Sequence, residues 1–384
     1  MKEVIVSAPG KILWTGGYSI LEKDNIGLVS SVDKRVYARA NVLPDHNIEI
    51  NAPQLGVSVK GKFENGKIAL TEDNPHAKFV KIAIETTLTY LKAKKKRIKG
   101  ISIHTYSDPA FGTGGAKSGL GSSAAVTVAS IAAVLKLHGI SPKKNLDLLH
   151  KLAQYSHSTS QGKVGSGFDV SASVYGGHEY SRYSPHLAQE PDVVKAIDAT
   201  WDHSTKPLIL PRSFVTVVAN IPGASASTTE MVAKVKDFKE VQRAEYDRII
   251  NEINQSAKEA NNSLAKLNEA AHKGEKIQQG HPLLVSFIEQ FEKSRNATRE
   301  LGEKSGAAIE PANLSAIITE SKSKGAFVAR LPGAGGGDAI AAICLSRRDA
   351  TRLKKFWAKK GLEVLDLKVT GKGIAIEKQF PKTA

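Results

Sequence analysis

A chain of 384 residues with 54 Lys and Arg against 38 Asp and Glu carries a formal charge of +16, and 41% hydrophobic residues are enough to fill the cores of two domains. This composition excludes a disordered polyelectrolyte, no apolar run reaches the ~18–20 residues of a membrane span, and the opening MKEVIVSAPG lacks the apolar core of a secretory signal. The expectation is a soluble cytoplasmic protein whose single cysteine, Cys344, makes no internal disulfide and no cysteine-based zinc site.

In chain order, alternating or apolar runs predict strands at Glu3–Ser7, Gly27–Val32 and Val36–Val42, and Asn65-Gly66 between Val57–Phe63 and Lys67–Leu70 is a hairpin signal. A helix follows over Ala77–Lys95, with Phe79, Ile82, Ile84, Leu88 and Leu91 near helical spacing. Its basic end, KAKKKRIK over Lys92–Lys99, suits the negative end of a helix dipole, and no aromatic residues interleave with it as a single-strand nucleic-acid binder requires. After a strand at Ile101–Tyr106 and a glycine-rich connection, Ser122 and Ser123 are candidate N-caps for the buried helix AAVTVASIAAVLKLHG, which stops at Gly139. A second helix covers about Lys144–His157. Beyond Pro207–Arg212 come a strand at Ser213–Ala219, several helices between Thr228 and Leu301, a short helix at Asn313–Ser323, strands at Ala326–Leu331 and Ala339–Leu345, a helix at Arg348–Lys360 and a strand at Leu362–Leu367. That order, β, helices, β, β, α, β, is the split βαβ or ferredoxin-like order with inserted helices, and it places a domain boundary near residue 210, giving domains 1–210 and 211–384 in an α+β protein.

Three glycine-rich segments carry the chemical signal. In the first, Gly114–Ser130, glycines precede two serines at the mouth of an apolar helix, an arrangement in which free backbone N–H groups and the helix dipole bind an anion and Ser122 or Ser123 offers a hydroxyl to a phosphate or to Mg²⁺. It is not a Walker A loop, because Ala116 rather than glycine precedes Lys117. Gly119–Ala124 fits G-x-G-x-x-A, but the strand ending at Tyr106 is too distant and the expected acidic residue downstream is missing, so a dinucleotide site is not expected. The second segment, Gln161–Asp169, combines Lys163, flexible backbone and Asp169, which taken alone reads first as an N-cap for VSASVYGG. The third, Pro332–Asp338, sets four glycines within five positions between two strands, more than a hairpin uses, which implies close approach by a ligand or another loop. His150 and His157 fall seven apart on one helix face without nearby carboxylates and read as packing residues.

Ala8-Pro9-Gly10-Lys11-Ile12-Leu13, Gly119-Leu120-Gly121-Ser122-Ser123-Ala124-Ala125 and Pro332–Asp338 resemble, in that order, the three motifs of the GHMP small-molecule kinases. The resemblance spans nearly the whole chain. It implies an N-terminal domain like ribosomal protein S5 domain 2, a ferredoxin-like C-terminal domain, and ATP with Mg²⁺ in the cleft between them. Within the superfamily, the segment Lys163–Val170 followed by Tyr175-Gly176, together with Lys117, Ile221-Pro222-Gly223 and Met231-Val232, is similar to the phosphomevalonate kinase branch. The implied reaction moves the γ-phosphoryl group of ATP to 5-phosphomevalonate, in the mevalonate pathway of isoprenoid biosynthesis. Mevalonate kinase or another GHMP kinase is the first alternative, and a non-catalytic basic RNA-binding protein with an S5-like fold is the second.

On this resemblance the expected catalytic residues are Lys11, Lys117 and Asp169. Gly119, Leu120, Gly121, Ser122 and Ser123 should meet the ATP phosphates, and Ser123 is the candidate metal ligand. Lys11, Lys117, Lys163, Ser166 and Asp169 should hold the substrate, while Gly335, Gly336 and Asp338 shape the floor of its cleft. The chain departs from the family at His157, which aligns with a glutamate that helps hold Mg²⁺ in mevalonate kinases. A phosphate monoester has its second pKa near ~6, so Asp169 is expected mainly to orient the acceptor and Lys11, with base catalysis secondary. The expected partner is a small anionic substrate, not nucleic acid or a membrane, and the expected state is a monomer or homodimer.

Overall fold

Apolar residues on both faces of the first strand place it in the interior. In the computed structural model, which describes residues 3–112, 118–162, 165–223 and 227–381, strand β1 (Glu3–Leu13) is buried at every position after Glu3. Strand β2 (Ile26–Leu43) lies antiparallel to it. The sequence predicts two strands there, broken at the charged Asp33–Arg35. The structure keeps one strand and absorbs those residues in a register shift, with Pro9 facing Arg35 and Lys11 facing Ser31. Strand β3 (Asn47–Ala52), not anticipated from sequence, precedes the hairpin of β4 (Val57–Glu64) and β5 (Lys67–Leu70). The hairpin turns on Asn65 and Gly66, both at positive φ as its signal requires.

A helical layer covers one face of this sheet. It comprises α1 (Lys78–Ala93), then, after strand β6 (Gly100–Ser107), α2 (Ser122–Leu137), α3 (Leu146–Ser160) and α4 (Phe168–Tyr175). Helix α2 is apolar on every side because it lies between β1 and β2 below and α1 and α3 beside it. Strand β7 (His178–Ser181), short helices α5 (His186–Gln189) and α6 (Val193–Asp198), and β8 (Ser204–Pro207) complete this part. Strand β6 pairs antiparallel with β2 and parallel with β3, and β7 pairs with the start of β2.

The second part begins with β9 (Val215–Asn220). The predicted helical region resolves into α7 (Thr228–Val241), α8 (Arg243–His272) and α9 (Pro282–Ser305), followed by α10 (Ala312–Ser323), β10 (Ala326–Arg330), β11 (Ala339–Cys344), α11 (Arg347–Lys359) and the short β12 (Glu363–Val364). The strands order as β10-β11-β9-β12, with every neighbouring pair antiparallel, which is the ferredoxin-like arrangement expected from the chain order. Helix α8 reaches back to the first sheet. Asn254 Oδ1 accepts from Ile26 N at 3.0 Å, and Asn261 accepts from Thr15 Oγ1 at 3.1 Å and donates to Glu179 Oε2 at 3.0 Å. The chain then returns: β13 (Val369–Thr370) pairs with β2 and β14 (Ala375–Ile376) with β1. Strand pairing therefore gives residues 369–376 to the first sheet rather than to the second domain of the sequence-based division. Among the described residues no helix is long and apolar enough to cross a membrane.

A buried ion pair fixes the junction of α9 and α10. Arg295 donates to Glu310 through Nε at 2.9 Å and Nη2 at 2.5 Å. Burial would push the Glu310 carboxyl up, but the Arg295 hydrogen bonds and charge pull it below the ordinary 4.5. Its stabilising contribution is therefore complete above that ordinary value and is lost as pH falls through the depressed one. Glu310→Gln is expected to cost about 2 kcal/mol at neutral pH, because it leaves the Arg295 charge short of a partner. The deficit should shrink in acid, where wild-type Glu310 also protonates. Urea melts at pH 7 and pH 3 check both statements, and an equal deficit at the two pH values would contradict the second.

Candidate active site

Lys11 is the hub of the site, and the register shift in β1 explains how it gets there. Where β1 leaves the ladder to β2, the Lys11 backbone N–H turns to donate to Leu120 O at 2.9 Å, tying the strand to the first glycine segment. The Lys11 ammonium donates to Gly119 O at 2.6 Å and lies 5.2 Å from the centre of the Phe168 ring. Burial lowers the Lys11 pKa, and the charges of Asp169 and Asp338 oppose that shift. Gly121 has to be glycine. Its φ is +80°, and a Cβ there would sit 3.0 Å from Lys11 Cε.

Gly121, not Ser122 or Ser123, is the N-cap of α2, and no side chain caps it. The serines expected as caps lie inside the first turn. The leading N–H groups of an apolar helix are thus presented at the end of the glycine segment, which suits an anion. Ser123 Oγ is 3.1 Å from His157 Nε2 on α3, and the same nitrogen is 4.0 Å from Asp169 Oδ2. Burial holds the His157 pKa below the ordinary 6.5 against the pull of Asp169. A neutral imidazole therefore faces the Ser123 hydroxyl at the position where the resemblance implies a carboxylate.

Asp169 enters from the second glycine segment. Gly167, at φ +75°, caps α4, so Asp169 lies within the first turn instead of being the N-cap that its isolated reading allows, and its Oδ1 accepts from Val170 N at 2.9 Å. Lys11, Asp169, Ser166, Gly167 and Phe168 line one cleft with a volume of about 140 Å³, whose other walls include Tyr18, Leu13, Ile20, Gln154, His157, Thr228, Val232, Gly333 and Ala334. Among the described residues the cleft thus combines one desolvated cation, one carboxylate and a substantial apolar wall.

The third glycine segment closes it from the other sheet. Gly333 and Ala334 line the cleft, and Tyr18 donates to Ala334 O at 2.8 Å. Gly335 and Gly336, expected at the floor, face the other way: a Cβ on Gly335 would be 2.2 Å from Ile309 O, which accepts from Gly336 N at 2.9 Å. They pack the loop against the residue preceding Glu310 and set the position of Gly333. Asp338 Cβ lies 3.4 Å from where a Cβ on Gly119 would be, so the first and third segments touch.

Of the residues expected from sequence, the structure brings Lys11, Gly119, Leu120, Gly121, Ser123, Ser166, Asp169 and Asp338 together, with Ser122 in the same helical turn. Lys117 and Lys163 lie outside the described residues. Sequence reasoning missed Tyr18, Phe168 and Gln154. Tyr18 carried one usable signal, its position beside Gly16-Gly17, since the Tyr18 backbone itself sits at φ +63°.

The chain is similar to known proteins over most of its length. The family description "GHMP kinases N terminal domain" matches residues 78–177, and "GHMP kinases C terminal" matches residues 284–363. A phosphomevalonate kinase of Saccharolobus solfataricus is 30% identical, covering 94% of this chain and 96% of its own. A peroxisomal phosphomevalonate kinase of Arabidopsis thaliana is 27% identical over 99% of this chain and 97% of its own. Among solved structures, Streptococcus pneumoniae phosphomevalonate kinase in complex with phosphomevalonate and AMPPNP superimposes with a TM-score of 0.73 at 21% identity, covering 96% of this chain and all of that one.

Proposed function

The chain belongs to the GHMP kinases, and from that premise we propose that it transfers the γ-phosphoryl group of ATP to the phosphate of 5-phosphomevalonate, giving ADP and 5-diphosphomevalonate. The observation that carries the reading is the Lys11 ammonium, desolvated between the glycine segment of α2 and Asp169 at one end of a cleft with apolar walls. A buried cation whose pKa burial has lowered gains most from ligands that bring negative charge. Two polyanions do so.

In the transfer, an acceptor phosphate oxygen forms the new bond to Pγ while the bond from Pγ to the bridging β,γ oxygen breaks, and that oxygen's electron pair leaves with ADP. Little covalent help is needed; alignment and charge stabilisation dominate. The Gly119–Ser123 turn and the free N–H groups of α2 hold the ATP phosphates. Lys11 stabilises the charge spread over the transferring group, and Asp169 orients Lys11 and the acceptor. Lys117 and Lys163 complete the set of cations in this proposal. The residues fit Mg²⁺ as an ion carried mainly by the nucleotide: the Ser123 hydroxyl is a hard oxygen ligand, and the described residues include no cluster of three acidic, histidine or cysteine ligands. When bound, the ion neutralises phosphate charge. The leucine, isoleucine and valine side chains of the cleft suit the carbon skeleton of the acceptor.

The test is ADP release from ATP over mevalonate, 5-phosphomevalonate and 5-diphosphomevalonate. Turnover is expected with 5-phosphomevalonate. Preference for mevalonate would move the assignment to a mevalonate kinase, and no turnover on any of the three would overturn the reading.

A further inference from the structure

Gln154 lies in the middle of α3 and is 1% exposed. A buried carboxamide must find partners for both N–H bonds. Its Nε2 donates to Gly167 O at 2.7 Å and to His150 Nε2 at 2.9 Å. The fit is close: a Cβ on Gly167 would lie 2.1 Å from Gln154 Oε1, so the amide lies where any other residue would place its side chain. Gly167 O also accepts the first intrahelical bond of α4, from Ser171 N at 3.1 Å. One residue earlier, Ser166 O accepts from the buried Tyr180 hydroxyl at 2.7 Å. Two consecutive carbonyls just ahead of Asp169 are therefore held by interior side chains.

The brace behind Gln154 is itself built in. The His150 ring lies 4.3 Å from that of His203 and 5.2 Å from that of Tyr175, between centroids. Burial holds His150 well below its ordinary pKa, and because the Gln154 amide nitrogen can only donate, His150 Nε2 is the acceptor and its ring proton sits on Nδ1. Gln154 also lines the cleft, and it carries no charge to offer an anion.

We infer that Gln154 is a positioning residue for the phosphoryl transfer: its carboxamide, braced by His150, fixes the Gly167 peptide and through it the direction in which Asp169 enters the cleft. The inference rests on the function proposed above. Gln154→Met keeps the length and helix propensity of the side chain but donates no hydrogen bond, whereas Gln154→Glu keeps the shape and turns a carboxylate toward Gly167 O. The expected result for Gln154→Met is a kcat lower by about 10–100-fold with KM for ATP within about twofold, because the loss falls on acceptor alignment rather than nucleotide binding. Gln154→Glu should lose at least as much. In crystals of Gln154→Met, the Asp169 carboxylate should move from its place beside His157. Wild-type kcat in Gln154→Met, or an Asp169 carboxylate that has not moved, overturns the inference. A wild-type enzyme silent on 5-phosphomevalonate would defeat the proposed function instead, and the crystal comparison would still decide the role of Gln154.

Discussion

Replacing Lys11 by methionine is expected to lower kcat about 10³-fold while leaving the fold intact, as read by steady-state ADP release and by thermal unfolding. The size follows from the environment. An ammonium in water is worth little to a phosphoryl group, but Lys11 is 7% exposed and its charge acts through a desolvated cleft in which Coulomb interactions are several times stronger. Methionine retains the linear stem that packs over Phe168 and Gly121 and removes only the cation. Two opposing terms bear on stability: loss of the desolvation penalty of the ammonium, and loss of its attraction to Asp169 and Asp338. Their opposition is why a small change in Tm is expected. A kcat within tenfold of wild type would remove Lys11 from the chemistry.

Asp169→Asn is expected to lower kcat about 10²-fold, and the pH dependence of that factor separates two roles for the carboxylate. If Asp169 were chiefly a base, the factor would collapse above the acceptor's second pKa near ~6, because the attacking oxygen would already be ionised. If it chiefly orients the acceptor and sustains the charge on Lys11, the factor should hold steady or grow with pH. The sign comes from the lysine. Asp169 raises the pKa of Lys11 against burial, so the asparagine variant lets Lys11 lose its proton at lower pH than wild type does. Rates measured from pH 6 to pH 9 should show the steady or growing factor. A tenfold shrinkage across that range would assign Asp169 to proton abstraction.

The sequence was most informative where one local rule governs. Asn65-Gly66 reported its hairpin because positive φ at both positions is a property of those two residues. The order of strands and helices after residue 213 reported the second sheet because connectivity limits the pairings available. It was least informative where distant segments decide. Asp33–Arg35 look like a break until β1 supplies a partner that accepts the bulge. Ser122 and Ser123 are good caps by residue type, yet Gly121 takes that position because Lys11 crowds it. Glycines 335 and 336 announced a close approach correctly but not to what: their neighbour is Ile309, and the cleft is left to Gly333 and Ala334. Gln154 carries no motif at all, since a glutamine on a helix becomes informative only when its amide is seen against Gly167.

The return of the chain to its first sheet bears on when the enzyme becomes competent during synthesis. Strands β13 and β14 leave the ribosome after β1 and β2 and after the whole of the second sheet, yet they pair with β2 and β1. Between them, Ile374 N donates to Val174 O at 3.2 Å, and Gly373 sits so close that a Cβ would be 2.0 Å from the same carbonyl, at the far end of the helix that bears Asp169. Domains ordinarily fold as they emerge, first part first. Here the first sheet waits for residues 369–376, so a nascent chain stalled before residue 369 carries all three glycine segments and an unsupported helix α4.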